Sequence, residues 1–102
     1  MGTRSTRQWP QIKQWLRIKG FNIGNTQTGW CAVNRTGIVI IVSATRVKIE
    51  WSGSEDGIRV RKTDEMSMQW TQKTISQAER DIEICADEAQ ARIQEWRTTD
   101  GE

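Results

Sequence analysis

The first third of the chain carries apolar residues at helical spacing. Trp9, Ile12 and Leu16 lie three and four positions apart, which places them on one face of a helix. Gly20 follows, and glycine commonly ends a helix because it enters the left-handed region without steric cost. The pattern predicts a helix over about residues 9–19.

The middle of the chain changes to a period of two, which is the spacing of β-strands. The run from Ile38 to Val42 is apolar throughout, as expected of a central strand that is buried on both faces. The later segments alternate apolar and polar residues, as half-exposed antiparallel strands do. We predict strands at residues 30–34, 38–42, 46–51 and 58–61 and a fifth at 66–71, with loops at 20–29 and 52–57.

The C-terminal third returns to helical spacing. Thr74 or Ser76 can cap its start, the latter together with Glu79 three residues further on. We predict a long helix over residues 74–97. Its apolar stripe comprises Ile75, Ala78, Ile82, Cys85, Ala89 and Trp96, with Ile93 beside it.

This order of elements predicts an α+β fold. An N-terminal helix precedes a four- or five-stranded antiparallel sheet, and a long C-terminal helix packs on one face of that sheet. A chain of 102 residues suits one domain. We assign residues 1–8 to a basic flexible tail, residues 9–98 to a single domain and residues 99–102 to a C-terminal tail.

Charge is divided unevenly along the chain. Residues 1–62 hold 11 Lys and Arg against three carboxylates, a balance of +8. Residues 63–102 hold four Lys and Arg against ten carboxylates, a balance of −6. Such asymmetry indicates contact with nucleic acid, or the docking of one charged surface on another.

The basic residues of the predicted sheet fall on one face. If the loop 52–57 closes a regular hairpin, Glu50 lies opposite Arg59 and Lys48 lies opposite Arg61. Such a face can bind phosphate, or it can be a solvated surface that protects the strands from edge-to-edge association. The candidate nucleic-acid-binding residues are Arg46, Lys48, Arg59 and Arg61, with Arg4 and Arg7 of the tail as secondary contacts.

Groups suited to catalysis are scarce. The chain has no histidine and no tyrosine, so common acid–base and electrophilic groups are missing. Cys31 and Cys85 are interpreted as reduced core thiols, and with no histidine they cannot complete a usual zinc site. Glu79, Glu83 and Asp87 form a ridge that is more typical of a solvated helix face than of a cation site. We expect no enzyme activity, no cofactor and no metal.

Tryptophan supplies six of the seven aromatic residues. Trp51 and Trp70 alternate with the apolar set and should point inward. Trp15 lies off the main stripe of the first helix. A helix of 24 residues is about 36 Å long and should extend beyond a sheet of six-residue strands, so Ile93 and Trp96 should pack on the first helix, on a second copy in a homodimer, or on a partner. Trp15, Ile93 and Trp96 are therefore the candidate protein-interface residues.

These observations favour a small non-catalytic binding module. The first hypothesis is a nucleic-acid-binding protein with little sequence specificity. The alternative is a protein-binding regulator or inhibitor, for example a phage or mobile-element inhibitor of a nucleic-acid-handling enzyme. A metal-dependent enzyme built on the acidic ridge is third. The longest apolar run has five residues, and the N-terminus has no signal-like segment, so we expect a cytoplasmic location and no membrane partner.

Overall fold

The structure is a computed structural model that describes residues 9–55 and 58–99. It describes the side chains of these residues except for residues 54, 55, 59 and 96–99. Arg4 and Arg7, which we predicted as secondary contacts, lie outside the described residues. The elements are α1 (Pro10–Ile18), β1 (Asn22–Asn25), β2 (Trp30–Val33), β3 (Val39–Val42), β4 (Arg46–Glu55), β5 (Ile58–Ser67) and α2 (Gln72–Thr99).

The five strands form one antiparallel sheet in which each strand pairs with its neighbour in sequence, in the order β1-β2-β3-β4-β5. The apolar residues of α1 and α2 join those of one sheet face in a single core. This arrangement confirms the predicted α+β class. We call the face covered by the helices the inner face and the opposite face the outer face.

Two strand predictions were wrong. The segment 20–29, predicted as a connector, contains strand β1, which has no clear alternation and is held by pairing with β2. The segments 58–61 and 66–71, predicted as separate strands, largely belong to the single strand β5, which ends at Ser67. The polar stretch 62–65 hides this continuity, because the stretch is exposed on both faces and is kept extended by pairing with β4.

The register of β4 against β5 also differs from the prediction. Trp51 lies opposite Lys62 and Lys48 lies opposite Glu65, so the strands continue to Glu55 and Ile58. Only residues 56–57 remain for the connection, where we predicted a loop over 52–57. The sequence at 56–57 is Asp-Gly, a strong signal for a two-residue hairpin connection. The outer-face pairs that we predicted are therefore wrong.

The N-terminal helix ends as predicted. Gly20 has φ of 96°, in the left-handed region that favours glycine, and the Phe21 N–H donates to the Leu16 carbonyl at 2.9 Å. The start of α1 is less usual. Its N-cap residue, Trp9, is itself left-handed with φ of 68° and makes no side-chain capping bond.

A carboxylate from the other helix supplies the missing cap. Glu79 is buried, and its Oε2 accepts a hydrogen bond from the Ile12 N–H of α1 at 3.1 Å. A negative group at a helix N-terminus is favoured by the helix dipole. The predicted capping box of Ser76 with Glu79 is therefore wrong: α2 is capped by Thr71, whose Oγ1 accepts from the Thr74 N–H while the Thr74 Oγ1 accepts from the Thr71 N–H.

The predicted overhang of α2 is wrong for Ile93. Ile93 is 1% exposed and belongs to the core. The expectation assumed six-residue strands, whereas β4 and β5 have ten residues each and run about 33 Å along the helix. Gly53 lets the helix approach β4 closely, since a Cβ there would lie 3.2 Å from the backbone carbon of Arg92.

Candidate functional site

The outer face of the sheet is not covered by either of the two described helices. Strand pairing fixes which residues share it, because directly opposed residues project to the same side. Its residues are Asn22, Gly24, Cys31, Val33, Val39, Ile41, Arg46, Lys48, Glu50, Ser52, Ser54, Arg59, Arg61, Thr63, Glu65 and Ser67.

The centre of this face is apolar. Cys31 lies opposite Ile41, and Val33 lies opposite Val39, so the four residues form a compact group on β2 and β3, which we call the apolar patch. Val33 is 41% exposed and Ile41 is 40% exposed. Large aliphatic side chains grouped on an open sheet face are typical of surfaces that become buried by another molecule.

Sequence reasoning missed the apolar patch for an identifiable reason. Strand β3 is apolar at every position, and such a strand is normally buried on both faces. The described residues form two helices that can cover the sheet, and both lie on the inner face. The sequence therefore carried a signal for the apolar patch: a strand with two apolar faces, of which the two predicted helices could cover only one.

The basic residues are partly neutralised by carboxylates. Arg46 pairs with Glu65 at 3.2 Å, and Glu50 accepts from both Lys48 at 3.0 Å and Arg61 at 3.4 Å. Lys48 and Arg61 therefore lie on either side of Glu50, and the like-charge opposition that we predicted between them is wrong. We call these five residues of β4 and β5 the ion-pair row.

Electrostatics keep the Glu50 carboxyl ionised. The largest cause is the hydrogen bond from the Lys48 ammonium, which lowers the pKa of Glu50, and the positive charge of that ammonium lowers it further. Arg61 makes a smaller contribution in the same direction. Among the described side chains, the outer face of β4 and β5 carries three cationic residues and two carboxylates. Arg46, Lys48 and Arg61 therefore share one face, as the sequence predicted, but their charges are paired with those of Glu50 and Glu65.

A shallow depression of about 280 Å³ connects the two regions. Its lining includes Val39 of the apolar patch and Glu50 and Arg61 of the ion-pair row. The apolar patch and the ion-pair row are thus adjacent, and one bound molecule could contact both.

The described tryptophan side chains lie away from the outer face. Trp9, Trp30 and Trp70 are fully buried, and Trp51 is 6% exposed. Trp15, predicted as an interface residue, is half-buried against the core on α1, with the Lys19 Nζ 5.2 Å from its ring centre. Ile93 is buried, and the side chain of Trp96 lies outside the described part of the chain. The three predicted protein-interface residues therefore do not form one described surface.

The two cysteines are free thiols, as interpreted, but they occupy different sites and neither is fully buried. Cys85 packs against the core, whereas Cys31 lies on the outer face and is not a core thiol. Cys31 belongs to the apolar patch. Cys85 lines a groove of about 250 Å³ between α2 and the inner side of β5, which we call the inner groove. Burial raises the pKa of the Cys85 thiol, and the carboxylates of Asp64, Glu88 and Asp81 raise it further.

This environment predicts slow alkylation of Cys85. In a Cys31→Ser variant, iodoacetamide at pH 8 should react with Cys85 more slowly than with a small model thiol, because only the thiolate is nucleophilic. Asp64→Asn removes a negative charge that favours the neutral thiol, so it should lower the pKa and speed the reaction. Glu83→Gln is the control and should leave the rate unchanged. An Asp64→Asn rate equal to or below that of the parent would contradict this account.

Among the described residues, no group of histidine, cysteine and carboxylate side chains is arranged to hold a metal ion. Glu79, from the predicted acidic ridge, is buried against α1 and so does not lie on a solvated face with its two neighbours. No helix in the described ranges combines the length and apolar character needed to cross a bilayer. Comparison of the chain with protein-family models, curated proteins and solved structures found no match.

Proposed function

We propose that this protein is a non-catalytic binding module whose outer face docks on another protein. The observation that carries the proposal is the adjacency of the apolar patch and the ion-pair row on one open sheet face. An apolar centre beside a polar, charged margin is the usual anatomy of a protein–protein interface. A regulator or inhibitor of a larger protein is one form that such a module takes.

The charges of the outer face indicate the chemistry of the partner. Three described cationic residues against two carboxylates leave an excess of positive charge along β4 and β5. We infer that the partner presents apolar side chains next to carboxylates. Complementary charge of this kind steers association and fixes the orientation of docking more than it adds affinity.

Nucleic acid is the second candidate, supported by the same excess of cations. Two observations make it weaker than a protein partner. Arg46, Lys48 and Arg61 are already paired with carboxylates at 3.0 to 3.4 Å, so phosphate would have to compete for them. Single-strand binders also stack bases on exposed aromatic side chains, whereas the described tryptophans face away from this surface.

Substitution of the apolar patch tests the proposal. The double variant Val33→Ser/Ile41→Ser should lose a protein that the wild type captures from extracts of its native host, with and without nuclease treatment. Ile18→Ser is the matched control, because Ile18 is 76% exposed but lies on α1, and it should retain that protein. The captured protein should also slow the alkylation of Cys31 in a Cys85→Ser background. Equal capture by the patch variant and the control would refute docking through the outer face.

A direct assay separates the second candidate. Fluorescently labelled single-stranded and duplex DNA are titrated with the wild type and with Lys48→Glu/Arg61→Glu at several salt concentrations. The protein-partner proposal expects no binding near physiological salt. DNA binding that weakens steeply with salt and is lost in the double variant would establish the nucleic-acid function instead.

A further inference from the structure

Strand β5 ends the sheet, and its outer edge has no strand partner among the described residues. The ladder fixes which backbone groups face that edge. The Met68 N–H, just beyond β5, donates to the Thr45 carbonyl at 2.9 Å. Along an antiparallel strand, the backbone N–H and C=O groups of successive residues point alternately to one side of the strand and to the other. Even-numbered residues of β5 therefore bond to β4, and the backbone groups of odd-numbered residues from 59 to 67 face the open edge.

Charge along this edge strand is ordered in two blocks around one neutral residue. Arg61 and Lys62 precede Thr63, and Asp64 and Glu65 follow it. A strand with this order is complementary to its own antiparallel copy, because reversal exchanges the basic block with the acidic block. The Thr63 backbone N–H and C=O also face the open edge. A residue that lies on a two-fold axis and forms backbone hydrogen bonds with its own copy must have both groups in this direction.

We propose that β5 is a self-association edge, on which the β5 strand of a second copy pairs antiparallel about Thr63. This register places Lys62 opposite Asp64 of the second copy. It also places Arg61 opposite Glu65 of the second copy, where the two side chains join the pairs that Arg61 makes with Glu50 and that Glu65 makes with Arg46. Every charged pair is then of opposite sign, and such directly opposed pairs stabilise a sheet. The two five-stranded sheets become one continuous sheet with two-fold symmetry, the commonest symmetry of homo-oligomers.

The charges select this register over its neighbours. Moving the two-fold axis from Thr63 to a residue one or two positions away in the sequence gives four other hydrogen-bonded registers. Each of them places one charged residue opposite its own copy. The four residues concerned are Arg61, Lys62, Asp64 and Glu65. Like charges directly opposed are destabilising, so the register centred on Thr63 is the one among these five that avoids them all.

The same charges disfavour pairing of the edge with unrelated strands. Lys62 and Asp64 lie opposite Trp51 and Ile49 and so belong to the inner face of β5. Charged residues on an inward face protect an edge strand from indiscriminate pairing. A second copy of this chain places an opposite charge across from each of these two residues. The inward charges therefore disfavour pairing with other strands but permit pairing with a second copy.

The apolar surface beside the edge supports the same partner. The inner groove is lined by Met66 of β5 and by Ile84 of α2, which is 59% exposed. The proposed register brings Val60 of the second copy opposite Met66, on the side that faces this groove. Pairing of the edges therefore also covers apolar side chains that the single chain leaves half-buried or exposed.

Measurement of mass tests the proposal on the whole chain. Sedimentation equilibrium of the wild type should give twice the chain mass of 11.8 kDa at high concentration. Lys62→Asp and Asp64→Lys each create two like-charge pairs and should raise the dimer dissociation constant at least tenfold. The double variant Lys62→Asp/Asp64→Lys should restore it, and an equimolar mixture of the two single variants should form a heterodimer. Lys73→Asp on α2 is the control for charge change alone and should leave the dimer intact.

A disulfide tests the register itself. In a background of Cys31→Ser and Cys85→Ser, Thr63→Cys places two thiols at the two-fold axis, where opposed Cα atoms are about 5.5 Å apart and within disulfide range. Oxidation should yield a covalent dimer, whereas Ser67→Cys on the same face should not. A wild type that stays monomeric at millimolar concentration overturns the proposal, as does a dimer that neither single charge variant weakens or that crosslinks equally through both cysteines.

Discussion

Replacement of Trp9 by alanine is expected to lower the free energy of unfolding by about 3–5 kcal/mol. Trp9 is fully buried, and its ring meets Trp30 and Trp70 edge-to-face with centroid distances of 6.0 and 5.1 Å. Alanine would remove both aromatic contacts and leave a large cavity where α1 and the sheet meet. Urea unfolding followed by far-UV circular dichroism measures the loss without relying on tryptophan fluorescence.

Trp9→Gly separates the side-chain contribution from the backbone contribution. Trp9 has φ of 68°, and for a residue with a Cβ this conformation costs about 1–2 kcal/mol. Glycine avoids that cost, so Trp9→Gly should be more stable than Trp9→Ala by about 1 kcal/mol, the reverse of the usual order in a helix. If alanine is the more stable of the two, then the left-handed cap is not retained in the variants.

Gly29→Ala is expected to destabilise the fold by about 3 kcal/mol, at the upper end of the usual range for overpacking. Gly29 is buried in the turn before β2, where its N–H donates to the Thr26 Oγ1 at 3.0 Å. A Cβ at this position would overlap the backbone carbonyl oxygen of Val42 on β3. A carbonyl within a strand ladder cannot rotate away as a side chain can, so the β2–β3 pairing must shift.

Gly24→Ala is the matched control for Gly29→Ala. Gly24 lies in the neighbouring strand β1, and a Cβ there would meet nothing within 4 Å. Alanine is also the better strand residue, so stability should be unchanged or raised by up to about 1 kcal/mol. Thermal unfolding of both variants makes the comparison. Equal destabilisation by the two substitutions would show that loss of glycine itself, and not the close approach to Val42, determines the cost.

Sequence periodicity predicted the parts of the fold that are specified locally. The helical spacing of Trp9, Ile12 and Leu16 identified α1, and Gly20 identified its end. The alternation around Trp51 identified its inward direction. These predictions succeed because a side chain's direction within a helix or strand depends only on the repeat of that element, which the chain carries in its own order of residues.

The candidate site depended on relations between elements, and here the sequence was less informative. Arg46, Lys48 and Arg61 were correctly placed on one face, yet their pairing with Glu50 and Glu65 followed from a register that was predicted wrongly. A register depends on the connection between strands, and the loop predicted over 52–57 hid the Asp-Gly signal at its end. The apolar patch was missed because exposure depends on which faces the helices cover.

The sequence by itself therefore determined the class of the fold, the two helices that precede and follow the sheet in the chain, the inward direction of Trp51 and Trp70, and the charge order of β5. Only the tertiary structure decided that Glu79 caps α1, that neither α1 nor α2 covers the outer face, and that an edge strand presents Thr63 to solvent. The physical reason is the range of the interactions. Periodicity and charge order act between near neighbours in the chain, whereas caps, coverage and register join residues that are far apart in sequence, such as Ile12 and Glu79.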